Sequence, residues 1–202
     1  MDINISEKQL DQIRESIRQK YSRVSKSPQG QFQYPTGREG LEKLRYDRTL
    51  INSLPDDIAS SYCGVGNPFS LGTISLGEKV LDIGCGAGVD TIIAGMMVGP
   101  KGSAVGVDLV PEMIVRAESN LQMTNIKNVR FQTTSSEDLP FPDGFFDVVI
   151  SNGVINLIPD KESALTEIMR VLKSGGRFMA ADQVAVSASK KDLKARLANW
   201  FQ

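Results

Sequence analysis

From residue 79 onward, short apolar runs alternate with amphipathic stretches, and the two periods predict a repeating strand-helix order. Residues 79–83, 103–107, 129–133, 147–151 and 177–181 read as strands. Between them, residues 90–98 form a mostly apolar helix stopped by Gly99-Pro100. A second helix starts at Pro111, with Met113, Ala117 and Leu121 on its inner face. A third opens at Pro159-Asp160, with Leu165, Ile168, Met169 and Leu172 expected to face inward. Lys173-Ser174-Gly175-Gly176 reads as the turn into the fifth strand. Strands alternating with helices imply a doubly wound, mostly parallel α/β sheet with right-handed crossovers, and a ligand at the carboxyl ends of strands one, two and four.

The first 74 residues have a different texture and are expected to form a helical and loop cap on a core of residues 75–202. Ser6-Glu7-Lys8-Gln9 is a capping box, and Leu10, Ile13, Ile17 and Tyr21 follow at helical spacing. The charges among them, Arg14, Arg18, Lys20, Arg23 and Lys26, read as a solvated face. Residues 27–40 are rich in Pro, Gly, Gln and Ser and read as a loop, with Pro35-Thr36-Gly37-Arg38 a turn. Residues 41–54 hold one or two short helices, and another starts at Leu54-Pro55-Asp56. The small-residue segment Tyr62-Cys63-Gly64-Val65-Gly66-Asn67-Pro68-Phe69 is either a connection into the core or a cover over a ligand. Beyond the fifth strand, Ser189 caps an amphipathic helix carrying Leu193, Leu197, Trp200 and Phe201.

The candidate chemistry lies where the first strand meets its helix. Val80-Leu81-Asp82-Ile83 runs into Gly84, Gly86 and Gly88 at alternate positions, a strand followed by a tight glycine turn. A dinucleotide site wants G-x-G-x-x-G, but the third position here is Val89. Asp82 would repel a pyrophosphate and suits a positively charged ligand instead. Asp108, at the end of strand two and 20 residues past Gly88, is placed to accept the hydroxyls of a ribose.

Composition narrows the field. At 202 residues the chain is one domain in size, and a net charge of −1 gives no field for nucleic acid or anionic membrane. No stretch approaches the roughly 18 apolar residues of a membrane span, and the first residues lack a signal peptide's pattern, so a cytoplasmic location is expected. There is no histidine, which removes a histidine base and most transition-metal sites, and the cysteines Cys63 and Cys85 make neither a disulfide framework nor a zinc site.

With these motifs in place, residues 75–182 resemble class I S-adenosylmethionine-dependent methyltransferases. The resemblance rests on Asp82-Ile83-Gly84-Cys85-Gly86-Ala87-Gly88, Gly106-Val107-Asp108, Glu137-Asp138-Leu139-Pro140-Phe141 and Arg170-Val171-Leu172-Lys173-Ser174-Gly175-Gly176. Val98-Gly99-Pro100, Leu109-Val110-Pro111-Glu112-Met113, Ser151-Asn152-Gly153-Val154-Ile155-Asn156-Leu157 and Gly66-Asn67-Pro68 make it similar to the arsenite methyltransferase group. The resemblance implies a Rossmann-like fold and S-adenosylmethionine as cofactor. It places Asp82, Gly84, Cys85, Gly86 and Gly88 around the methionine moiety, with Asp82 on its ammonium. Asp108 would hold the ribose, Leu109 and Met113 the adenine, and the Ser136 N–H the ring. The exocyclic amine would need Glu137, Asp138 or water, Asn152 and Gly153 would line the methyl side, and Tyr21 would cover the cofactor.

Two departures shape the expected acceptor. The arsenite enzymes place a cysteine after the Ser-Asn of strand four, where this chain has Gly153. A single remaining Cys63 does not make the multidentate thiolate cage of a soft metalloid. Relative to the resembled fold, the last two strands, about 50–80 residues of a usual domain, are not accounted for; either the protein is naturally short, it is a fragment, or a partner chain or homodimer covers the sheet edge. The expected activity is methyl transfer to a small molecule by in-line displacement. The alternatives are a non-catalytic cofactor-binding or assembly module and, behind it, a nicotinamide dinucleotide oxidoreductase.

Overall fold

The computed structural model describes residues 6–184, so the expected final helix with Leu193 and Trp200 lies outside the described residues. Five parallel strands stand in the order β3-β2-β1-β4-β5. They are β1 (Lys79–Ile83), β2 (Ser103–Asp108), β3 (Val129–Thr133), β4 (Phe146–Asn152) and β5 (Leu172–Ala181). The order reverses direction between β1 and β4, which are in register from Val80 opposite Val148 to Ile83 opposite Ser151. That reversal opens a crevice at the carboxyl ends of β1, β2 and β4.

Each face of the sheet has its own core. Leu81, Ile83, Val105, Val107 and Val149 pack with Ile168 and Val171 of α7 (Lys161–Val171). On the other face, Val80, Ala104, Val148 and Ile150 pack against α5 (Val89–Val98). This helix has almost no exposed side because the N-terminal part lies on its outer face. Leu41, Tyr46, Ile51, Leu54, Ile58 and Tyr62 share a buried cluster with Val89, Ile92 and Ile93. Three short helices and the turns after them supply that layer, α2 (Gly37–Lys43), α3 (Arg48–Ser53) and α4 (Asp56–Ser60), while α1 (Glu7–Val24) lies elsewhere, with Val24 against Val110 and Met113. The remaining helix among the described residues, α6 (Pro111–Gln122), carries proline at its start and buries Met113, Ile114 and Ala117.

Three local expectations need correction. Helix α2 begins at Gly37, inside the stretch read as loop. In α7 the buried residues are Ala164, Ile168 and Val171, while Leu165 and Met169 are 40% and 65% exposed. The i, i+4, i+7 stripe of small and branched residues meets the sheet, and the two larger side chains sit one position out of phase. Residues 173–176 do not precede the fifth strand but bulge within it, with Phe146 opposite Leu172 and Val148 already opposite Arg177. Among the described residues, the outer edge of β5 pairs with no strand.

Gly88 supports this frame. It precedes α5 at φ +80°, and a Cβ there would lie 2.5 Å from the Phe131 ring and 2.9 Å from Ala117. Gly88→Ala therefore combines left-handed strain with a clash and should cost about 2–4 kcal/mol of stability. Urea unfolding tests this, and an unchanged midpoint would contradict the close packing of the glycine turn.

Candidate functional site

The crevice contains a cavity in two adjoining lobes. The larger, about 100 Å³, lies between the ends of β2 and β4 and the inner face of α1; Ile17, Tyr21, Asp108, Leu109, Ser136 and Glu137 are among the residues lining it. The smaller, about 40 Å³, lies over the glycine turn and is bounded by Asp82, Cys85, Asp90 and Tyr62 among others. Cys63, Gly84, Gly86 and Asn152 line both lobes and mark their junction.

The glycine turn is shaped for close approach. Gly84 is at φ +67°, where a Cβ would run into Val154, and Gly86 is at φ +53°, where a Cβ would meet no atom within 4 Å. Open space therefore lies beside Gly86, which lines both lobes. The N–H of Gly86 donates to Asp108 at 2.9 Å, and that of Val110 donates to the other oxygen at 2.9 Å. The carboxylate that ends β2 is thus fixed in orientation by the turn that ends β1.

Three aspartates surround the cavity. Asp82 is 2% exposed and accepts a 2.6 Å hydrogen bond from Thr91. Asp90, 6% exposed in the first turn of α5, accepts from the Tyr46 hydroxyl at 2.8 Å and from the Asn152 amide at 2.9 Å. Burial raises all three acids above the carboxylate range, Asp82 further through the nearby charge of Asp90, and Asp90 and Asp108 each to about 6. No Lys or Arg lines the smaller lobe. Its negative charge is uncompensated by the protein, which suits a cationic group in the ligand.

The larger lobe is closed by α1. Arg14 reaches Glu137 at 2.8 Å, so it is a half-buried ion pair rather than part of a solvated face. Glu137 also accepts from the N–H of Asp160 at 3.1 Å, and Ser22 on α1 donates to Glu112 at 3.0 Å. Beside the cavity mouth, Tyr21, Phe32 and Tyr34 form an aromatic group, and the Lys20 ammonium lies 5.3 Å from the Phe32 ring centre. Burial pushes the Cys63 thiol up to about 12 and the Cys85 thiol well above its ordinary value.

Of the residues expected at the site, Asp82, Gly84, Cys85, Gly86, Asp108, Leu109, Ser136, Glu137, Asn152, Gly153 and Tyr21 line one lobe or both. Gly88 and Met113 do not. Gly88 packs against Phe131, and Met113 is 1% exposed in a cluster with Val24 and Val110. Sequence reasoning missed Asp90, Tyr46 and Arg14, while Tyr62 opens the segment read as a connection or a cover. Asp90 had a visible signal, an acid immediately after the Gly-Val that opens an otherwise apolar helix. Tyr46 lies in the cap and had none.

Residues 74–202 match the family described as methyltransferase domain. The chain belongs to that family. It is similar to an arsenite methyltransferase of Halobacterium salinarum, 34% identical over 204 residues, covering 94% of this chain and 52% of that protein. It is also similar to a ubiquinone/menaquinone biosynthesis C-methyltransferase of Vibrio vulnificus, 35% identical over 107 residues, covering 52% of this chain and 41% of that one. Among solved structures, an arsenic(III) S-adenosylmethionine methyltransferase from Chlamydomonas reinhardtii superposes with a TM-score of 0.62 at 36% identity, covering 67% of this chain and 48% of the other. The chain spans about half the length, or less, of these curated relatives. The doubly wound parallel sheet expected from the sequence is the fold of these methyltransferases. Among the described residues, no helix is long and apolar enough to cross a membrane.

The buried acids give the ligand-free chain a particular pH response. Folded Asp90 and Asp108 hold protons up to about pH 6, against about 4 in an unfolded chain. Between those values the folded state binds more protons, so stability is greatest on the acid side and falls as pH rises through the window. Acids held low by ion pairs, such as Glu78 and Asp147, lose their contribution only at more acid pH. Urea unfolding should therefore show a loss on the order of 1–3 kcal/mol between about pH 5 and 7; a gain across that range would contradict the assignment.

Proposed function

We propose that the two-lobed cavity binds S-adenosylmethionine and that the chain moves its methyl group to a small-molecule acceptor. The observation that carries this reading is the set of buried acids, Asp82, Asp90 and Asp108, around an open glycine turn, with no cation lining the smaller lobe. A pyrophosphate would be repelled there, whereas an ammonium and a sulfonium would supply the missing positive charge. This favours the cofactor over a nicotinamide dinucleotide.

When bound, the cofactor supplies a methyl group already activated by its positive sulfur, so the protein's part is placement and exclusion of water. Asp108, held by the N–H groups of Gly86 and Val110, offers its carboxylate to the ribose hydroxyls. Asp82 faces the methionine end, steadied by Thr91. Leu109 and the α1 residues Ile17 and Tyr21 give the larger lobe its apolar walls, and the Arg14–Glu137 pair keeps α1 over it. Glu137 is thereby committed to Arg14, which leaves Ser135 and Ser136 as the nearer polar groups for the adenine edge.

The acceptor is a small molecule that brings its own lone pair. Burial keeps the thiols of Cys63 and Cys85 protonated, and Gly153 contributes no donor atom, so the site is not organised as a thiolate cage for a metalloid. The edge of β5, unpaired among the described residues, is where a partner chain or second copy would add a strand.

Asp108→Ala removes one or two charge-assisted hydrogen bonds and should weaken binding of S-adenosylhomocysteine by roughly ten- to a hundredfold. Isothermal calorimetry reads this directly. Unchanged affinity would remove Asp108 from the cofactor site.

A further inference from the structure

Four segments far apart in sequence meet at one point above the glycine turn. Asn152 ends β4, Asp90 opens α5, Tyr46 lies between α2 and α3, and residues 62–66 follow α4. The Asn152 amide is used on both sides. Its Oδ1 accepts the N–H groups of Val65 at 2.9 Å and Gly66 at 3.0 Å. Its Nδ2 lies 2.9 Å from the Asp90 carboxylate and 2.9 Å from the Gly66 carbonyl. The second Asp90 oxygen accepts from Tyr46 at 2.8 Å, and the Tyr62 hydroxyl donates to the Gly66 carbonyl at 2.8 Å. Gly64 leaves room for this packing, since a Cβ there would collide with both the Asn152 amide and the Tyr62 hydroxyl.

The donor count makes the arrangement directional. Both hydrogens of the amide and both oxygens of the carboxylate are taken, so Asn152 has no side-chain group left for a ligand. What it does instead is hold residues 62–66 down on the end of the sheet. That segment carries Cys63, which lines both lobes. We propose that Asp90 is a positioning residue: by fixing the Asn152 amide it seats the segment 62–66, with Cys63, over the junction of the two lobes, where an acceptor would meet the methyl group. The inference rests on the reading of the cavity as the cofactor site.

Asp90→Asn is nearly isosteric but places an amide donor against either Tyr46 or Asn152, both already donating there. Tyr46→Phe removes one of the two donors and keeps the charge. The test is the rate of iodoacetamide labelling of Cys63, measured by peptide mass spectrometry against Cys85 in the same molecules. Cys63 labelling should rise about tenfold in Asp90→Asn and less in Tyr46→Phe, with Cys85 unchanged, and S-adenosylhomocysteine should bind several-fold more weakly. An unchanged Cys63 rate would overturn the proposal, as would Cys63 and Cys85 rising together, because the network would then only hold the fold. If Asp90→Asn does not fold, the same ratio in Tyr46→Phe decides. Labelling needs no cofactor. Failure of the wild type to bind S-adenosylhomocysteine would therefore reject the cofactor reading, and with it the acceptor role of segment 62–66, while the labelling ratio alone decides whether Asp90 seats Cys63.

Discussion

The site depends on carboxylates kept in an apolar setting where the protein supplies no counter-charge. Asp82 and Asp90 lie within reach of each other's charge, and their hydrogen-bond partners are neutral: Thr91, Tyr46 and Asn152. Neutral donors orient a carboxylate without cancelling its charge, so the smaller lobe stays electrically unfinished. The same acids lower the stability of the empty chain near neutral pH and, in the proposed cofactor site, would supply the affinity for a cation, a trade of stability for binding that functional sites commonly show. Asp108 plays the parallel part in the larger lobe, tied to the glycine turn through the N–H of Gly86.

The sheet is the platform that brings these groups together. The reversal of strand order between β1 and β4 places the glycine turn, the end of β2 and the end of β4 around one crevice. The cap completes the enclosure through two different kinds of contact. An apolar layer fixes it to α5, with Leu41, Ile51 and Ile58 against Ile92 and Ile93. A polar network then sets the last few ångströms, where Tyr46, Tyr62 and the backbone of Val65 and Gly66 meet Asp90 and Asn152. Apolar burial is non-directional, whereas hydrogen bonds fix position, and a site needs the second.

Most of the core was legible in the sequence because its signals are local. A strand that is apolar on both faces, glycines at positive φ and an acid at the next strand's end each stand out within a few residues. The errors share a physical origin in contacts between distant segments. Arg14 looks solvated along its own helix, yet it meets Glu137, 123 positions away. Met113 has the spacing of a residue near the site but is drawn under Val24 of α1. In α7, Leu165 and Met169 are the larger side chains, but Ala164 and Val171 share the sheet-facing stripe with Ile168. Residues 173–176 have the composition of a turn, and pairing with β4 on either side turns them into a bulge. Asn152 lines both lobes, where it was expected, but its amide is bonded to Asp90 and to the backbone of Val65 and Gly66, which only the hydrogen-bond partners reveal.

On this reading, the unfinished charge of the cavity selects S-adenosylmethionine over a dinucleotide. The most direct measurement is a side-by-side calorimetric titration of the wild-type chain at neutral pH with S-adenosylmethionine and with a nicotinamide dinucleotide. Saturable one-site binding of the first and no detectable heat from the second is the predicted result. Binding of the dinucleotide with none of S-adenosylmethionine would contradict it.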